Sequence, residues 1–229
     1  MKAYRYLIFD ADDTLLDFKQ NEAKALPAVF QQYHLPFTKE IRDSYLQINQ
    51  RLWRLLEQGK KTTNEVMVQR FEILFEMYHI DIHPHLFSES YMQLLSKGAY
   101  PFDEVLAVLK QCSQDYICVI VTNGFAKSQR YRLAHSGILP YIHHVFISEE
   151  VGVRKPSIQL ANHIFHHLQC KPSECLMIGD CFETDMEFAI NSGMDTCWIR
   201  HQNDFDERIS QVNYHITNLN QLFAGGILK

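Results

Sequence analysis

An α/β fold, with a parallel sheet covered by helices on both faces and a helical insert behind its first strand, is predicted by three observations. Five short apolar runs rich in β-forming residues alternate with helical stretches. One further stretch of about eighty residues carries helical spacing and no strand signal. The length of 229 residues exceeds the commonest single-domain size, which calls for one large unit or a core with a smaller insert.

The first run, residues 4–9 (YRYLIF), stops at an acidic cluster, as a buried strand does when it delivers polar groups at its C-terminal end. It is too short and too soon interrupted by acid for a signal peptide. No run approaches the roughly 20 apolar residues of a spanning helix, so neither export nor membrane insertion is expected. In residues 17–97, Ile41, Tyr45, Ile48, Leu52 and Leu55 or Leu56 share one helical stripe, and Met67, Phe71, Leu74 and Tyr78 share another. Thr62 with Glu65 opens the second helix as a capping box. An insert entering directly after the first strand would sit over that strand's C-terminal end, where open α/β sheets bind ligands. Helices are then predicted over residues 101–112, with Pro101 in the first turn, over 126–136, closed by Gly137, over 157–168, and over 183–192, closed by Gly193. The strands between them are residues 116–121, 145–147, 175–178 and 196–199.

Hydrophobic residues make up 46% and charged residues 21%, the composition of a chain that buries a real core. Twenty-two Lys+Arg against 27 Asp+Glu give a net charge of −5 with no basic run, which excludes a nucleic acid polymer as the main partner but not a nucleotide-sized ligand. The six cysteines form no CxxC pair and read as reduced thiols of a cytoplasmic protein. Among twelve histidines, His163 with His167 has chelating i, i+4 spacing, but without a third ligand nearby it reads as a surface helix face, and no histidine is assigned to a site.

Four segments at predicted strand ends carry chemistry. Asp10 and Asp12, two residues apart at a strand exit, suit a nucleophile that also ligates metal beside an acid/base. Thr122-Asn123-Gly124 offers a hydroxyl, an amide and a helix start for phosphate oxygens. Lys155 stands before a proline-started helix, and Gly179-Asp180 with Asp185 is an acidic strand end of the kind that gathers a hard divalent cation. Each alone is also an ordinary turn, cap or surface charge; their order and placement together are not.

Together they resemble the haloacid dehalogenase superfamily of phosphatases: DxDxT at Asp10, Asp12 and Thr14, the Thr122 segment, Lys155, and GDxxxxD ending at Asp185. The resemblance implies a Rossmann-like core, residues 1–16 and 98–229, with an inserted α-helical cap, residues 17–97. Asn49, Leu52-Trp53, Gly59 and Arg70-Phe71 in the insert are similar to the bacterial pyrimidine 5′-nucleotidase subfamily. So are Phe125, Gln129, Arg132-Leu133, Gly137 and the run from Ser148 to Gly152. Trp53 and Phe71 share the stripes that bury these helices and read first as packing residues.

The resemblance implies that Asp10 attacks phosphorus to form an aspartyl-phosphate and that Asp12 protonates the leaving oxygen and then activates water. It implies that Asp10, the Asp12 carbonyl and Asp180 hold Mg²⁺, that Thr122, Asn123 and Lys155 grip the transferring oxygens, and that Asp185 orients Lys155 or supports the metal. Cys181 stands where the family usually has a hydroxyl, and Asp13 reads as a turn or cap residue. The implied activity is hydrolysis of nucleoside 5′-monophosphates by a monomer or homodimer whose partner is a small phosphomonoester. A sugar or acylneuraminate phosphatase, and a non-catalytic phosphate-binding protein, are the alternatives.

Overall fold

Successive residues of the first apolar run turn to opposite faces of a sheet that is covered on both, so all four residues of β1 (Tyr6–Phe9) are buried. The computed structural model of the chain describes residues 4–201 and 206–229. Residues 1–3 and 202–205, which the sequence assigns to the core, lie outside the described residues. After β1 come α1 (Phe18–Gln32), α2 (Lys39–Glu57), α3 (Thr63–Tyr78), α4 (Pro84–Lys97), α5 (Val105–Asp115), β2 (Ile117–Thr122), α6 (Ala126–His135), β3 (His144–Ile147) and α7 (Ser148–Val151). They are followed by α8 (Ile158–Leu168), β4 (Cys175–Gly179), a π-turn (Phe182–Met186), α9 (Glu187–Ser192), β5 (Asp195–Ile199), β6 (Tyr214–Ile216) and α10 (Gln221–Ala224). No described helix is long and apolar enough to cross a membrane.

Two compact units result: Met1–Lys19 with Ala99–Lys229, and Gln20–Gly98. The first contains a six-stranded parallel sheet in the order β3-β2-β1-β4-β5-β6. Leu7, Phe9, Ile120, Leu176, Ile178 and Ile199 pack on one face, and Tyr6, Ile8, Val119, Val121, Met177 and Trp198 on the other, as the period of two requires. Because β2 and β4 flank β1, the chain changes side of the sheet between β3 and β4. A crevice forms at the C-terminal ends of strands beside such a reversal, and this is the usual place for a ligand on an open parallel sheet.

Several elements differ from expectation. Pro101 does not open a helix. It bridges to Leu16, while Asp17 N donates to Tyr100 O (2.7 Å) and Phe102 N to Leu15 O (3.2 Å), so residues 15–17 and 100–102 pair as antiparallel extended chain and α5 starts only at Val105. The first unit runs to Lys19 and resumes at Ala99. The helix expected over 183–192 begins as the π-turn, which re-aims Asp185 inward. β6 was not foreseen, being three residues long at the sheet edge with one buried side chain.

In the second unit Ile41, Tyr45, Ile48, Leu52 and Leu56 form the buried stripe of α2. On α3 the stripe is rotated from expectation, to Val66, Arg70, Phe71, Leu74 and Phe75, leaving Met67 and Tyr78 half-buried. Thr62 and Glu65 form the capping box that opens α3. Phe71 is fully buried among the rings of Tyr45, Phe75, Phe87 and Tyr91. Arg70 lies over the Phe71 and Tyr91 rings and donates to Tyr45 Oη and Asn49 Oδ1, each at 3.3 Å. Phe71 is thus a core side chain, and Trp53 is half-buried.

Candidate active site

Asp10 leaves β1 still paired to the sheet, its N–H donating to Ile178 O (2.9 Å), which fixes where its side chain emerges. Lys155 reaches it from the loop before α8. The Lys155 ammonium donates to Asp10 Oδ1 (2.6 Å), Asp185 Oδ1 (2.6 Å) and Val121 O (2.7 Å), so all three of its protons have acceptors in a site where it is 4% exposed. Asn123 braces this loop: its Oδ1 accepts from Lys155 N (2.9 Å) and its Nδ2 donates to Lys155 O (3.0 Å). The Asn123 amide, expected as a phosphate contact, meets the lysine's backbone through its oxygen and one of its two Nδ2 protons.

Asp185 is buried on the π-turn, and its Oδ2 accepts from Cys181 N (3.1 Å). Gly179 is required beside it, because a Cβ there would run into the Asp185 carboxylate, which Lys155 and the Cys181 N–H already pin. Gly179→Ala is therefore expected to cost about 1–3 kcal/mol through overpacking. Equal urea midpoints for variant and wild type would contradict this packing. Asp180 accepts a long hydrogen bond from the buried Thr14 Oγ1 (3.5 Å), and its carbonyl is held by Trp198 Nε1 (2.7 Å). The Cys181 thiol donates to Glu183 Oε2 (3.6 Å), and burial, helped by Asp185, pushes it up to about 12. Asp13 adopts a left-handed conformation (φ 54°) and its Oδ1 accepts from Phe18 N and Lys19 N, the cap role its position predicts.

Three carboxylates, those of Asp10, Asp180 and Asp185, present oxygens within 4.8 Å of one another. Burial pushes Asp10 up to about 7; Lys155 pulls the other way, and Asp185 and Asp12 add to the rise. Burial, with Asp185 and Asp10, likewise holds Asp180 well above the usual carboxylate range. Burial works against the Lys155 charge, but Asp10 and Asp185 outweigh it and raise its pKa. One ammonium thus serves a cluster with a surplus of negative charge. An all-oxygen donor set of this kind fits a hard divalent cation such as Mg²⁺ or Mn²⁺ and does not fit a soft metal. His163, His166 and His167 are exposed on α8 and belong to no such cluster among the described residues.

Thr122, at the end of β2, is buried, and its Oγ1 accepts from Gly124 N (3.2 Å) and Gln129 Nε2 (2.8 Å). Asp12 is gripped by two side chains of α6: Arg132 Nη1 meets Oδ1 at 2.5 Å and Gln129 Nε2 meets Oδ2 at 2.8 Å. Gln129, Arg132 and Trp198 were not assigned to the site from sequence. For the first two the signal was present, since i, i+3 polar residues on the helix after Thr122-Asn123-Gly124 must share a face. Nothing local marked Trp198.

Comparison with known proteins places this arrangement among others. A family model described as a haloacid dehalogenase-like hydrolase matches residues 4–193. YfnB of Bacillus subtilis (strain 168), whose name places it with the HAD-hydrolases and gives no substrate, is 34% identical over 226 residues, covering 97% of this chain and 95% of its own. Its crystal structure bound to magnesium superposes with a TM-score of 0.91 at 33% identity, covering 99% of this chain and 100% of that one. The pyrimidine 5′-nucleotidases PynA of Streptococcus pneumoniae and YjjG of Escherichia coli are each 29% identical. They cover 96% and 95% of this chain, and 93% and 95% of their own lengths.

Proposed function

The chain belongs to the haloacid dehalogenase-like hydrolase family, and on that footing we propose that it is a Mg²⁺-dependent phosphatase of the cytoplasm that hydrolyses nucleoside 5′-monophosphates, pyrimidine ones preferentially, through Asp10. The observation that carries the phosphatase reading is the Lys155 ammonium joined to both Asp10 and Asp185 at the C-terminal ends of β1, β2 and β4, with Asp12 and Thr122 alongside. The substrate class is supported by the similarity to two pyrimidine 5′-nucleotidases over nearly the whole chain.

Asp10 attacks phosphorus with a carboxylate oxygen while Asp12 gives its proton to the departing alkoxide. Water then attacks the aspartyl-phosphate, its proton passes to Asp12, and the P–O bond breaks to return the electron pair to Asp10. Lys155 and the Thr122 hydroxyl offset charge on the transferring oxygens, and Asp185 and Asn123 hold Lys155 in place for that work. Asp10, Asp180 and the Asp12 carbonyl would hold Mg²⁺, which when bound supplies positive charge to the phosphoryl group and offsets the carboxylate surplus.

The test is phosphate release across nucleoside monophosphates and sugar phosphates, with Mg²⁺ and with chelator. UMP, dUMP and dTMP are expected to lead the panel, and chelator is expected to remove the activity. Turnover of sugar phosphates alone would keep the mechanism and discard the substrate; silence on all would favour a phosphate-binding protein without catalysis.

A further inference from the structure

Both oxygens of the Asp12 carboxylate are occupied by side chains from one turn of α6. Arg132 takes Oδ1 and Gln129 takes Oδ2, and Gln129 Oε1 accepts from the same Arg132 Nη1 (3.0 Å), so the two donors are locked to each other as well as to the aspartate. Gln129 Nε2 is shared with Thr122 Oγ1. With the Gly124 N–H on the same oxygen, both Thr122 lone pairs are taken, and its hydroxyl proton is left to donate. Gln129 and Arg132 are 1% and 2% exposed, whereas the Asp12 side chain is 30% exposed, so the clamp is buried and what it holds is open. Gly124 makes room for this: a Cβ there would collide with the Gln129 side chain. A cationic side chain is costly to bury for the sake of fastening a helix, since apolar packing serves as well.

We propose that Gln129 and Arg132 are positioning residues that fix the Asp12 carboxylate, and through Gln129 the Thr122 hydroxyl, in one orientation for the hydrolytic half of the reaction. This rests on the phosphatase reading above. In that half, water attacks the phosphorus of the aspartyl-phosphate, its proton goes to the Asp12 carboxylate, and the P–O bond to Asp10 breaks with its electron pair returning to Asp10. A freely rotating Asp12 seldom meets the water's proton, and proton transfer by a positioned group is worth on the order of 10²–10⁴-fold.

The probe is p-nitrophenyl phosphate with Mg²⁺, because p-nitrophenolate leaves without needing a proton and the first half-reaction then proceeds without Asp12. For Arg132→Met, kcat is expected to fall about 100-fold and KM to fall with it, leaving kcat/KM within about threefold of wild type, because kcat/KM reports only the steps through formation of the aspartyl-phosphate. Gln129→Leu, which also frees Thr122, is expected to lower kcat as well. A stopped-flow burst of about one p-nitrophenolate per enzyme is expected before the slow steady state, as phosphoenzyme accumulates. Arg132→Lys, which keeps one charged donor, is expected to retain more kcat than Arg132→Met, and it supplies a folded variant if the methionine does not fold. A fall in the burst rate in step with kcat, a rise in KM at unchanged kcat, or unchanged kcat with only a lower thermal midpoint would overturn the inference while leaving the phosphatase reading intact. A wild type silent on every phosphomonoester would overturn both.

Discussion

Asp10→Asn is expected to abolish phosphate release, by on the order of 10⁴-fold or more, while making the metal-free protein more stable at neutral pH. The loss follows from chemistry, since an amide does not attack phosphorus. The gain follows from burial. With the carboxyl raised from its ordinary 3.8 to about 7, the folded protein binds a proton at Asp10 that the unfolded chain has released, so the group favours folding below about pH 4 and that contribution is lost as pH rises through 7. The slope is about 1.4 kcal/mol per pH unit for one proton. Asparagine is neutral at every pH and carries no such slope. In chelator, thermal midpoints of wild type and variant should diverge between pH 5 and 7.5 with the variant higher, and Mg²⁺ should narrow the gap by binding the wild type. A variant that turns over substrate, or two parallel pH profiles, would count against the assignment.

Lys155→Met should carry the largest combined cost. It deletes an ammonium with three short hydrogen bonds and leaves Asp10 and Asp185 facing each other in a buried site. Removing one partner of a buried ion pair typically costs about 3–5 kcal/mol, because the remaining charge is uncompensated. Loss of a charge aimed at the transferring oxygens removes roughly a further 10²–10³-fold of rate. Since neutral carboxyls tolerate the vacancy better than carboxylates, destabilisation should be smaller at pH 5 than at pH 7.5. Urea midpoints at the two pH values check the first expectation and initial rates the second; an unchanged midpoint with activity within tenfold of wild type would refute the role of Lys155 at the centre of the cluster.

What could be read from sequence was whatever depends on local pattern. Strands of a doubly covered parallel sheet are apolar on both faces, so residues around Tyr6–Phe9, Ile117–Thr122 and Cys175–Gly179 announced themselves, and the polar residues at their ends fell at strand exits. The approach of Asp185 to Asp10 follows from that register, because β4 pairs with β1, and Lys155 joins them from the loop before α8, its ammonium tied to Val121 O at the end of β2. What escaped depends on partners distant in sequence. Trp198 serves Asp180 from β5, and the antiparallel pairing that straightened Pro101 involves residues some eighty positions earlier. The π-turn at Phe182–Met186 looked like ordinary helix because its extra residue leaves no mark in composition. Cys181 has no side-chain hydroxyl, yet its contribution to Asp185 comes from its backbone N–H, which any residue but proline supplies.

The paired chain at residues 15–17 and 100–102 bears on how such a protein diversifies. The hydrogen bonds from Asp17 to Tyr100 and from Phe102 to Leu15 hold the two ends of a long excursion side by side on the sheet-bearing unit. With the ends already joined, the entropy of closing the excursion grows only as the logarithm of its length, about 0.6 kcal/mol for each doubling. Residues 20–98 can therefore lengthen, shorten or be exchanged wholesale at little thermodynamic penalty to the sheet. A change of length between residues 20 and 98 thus leaves the carboxylates and the lysine of the sheet-bearing unit as they are.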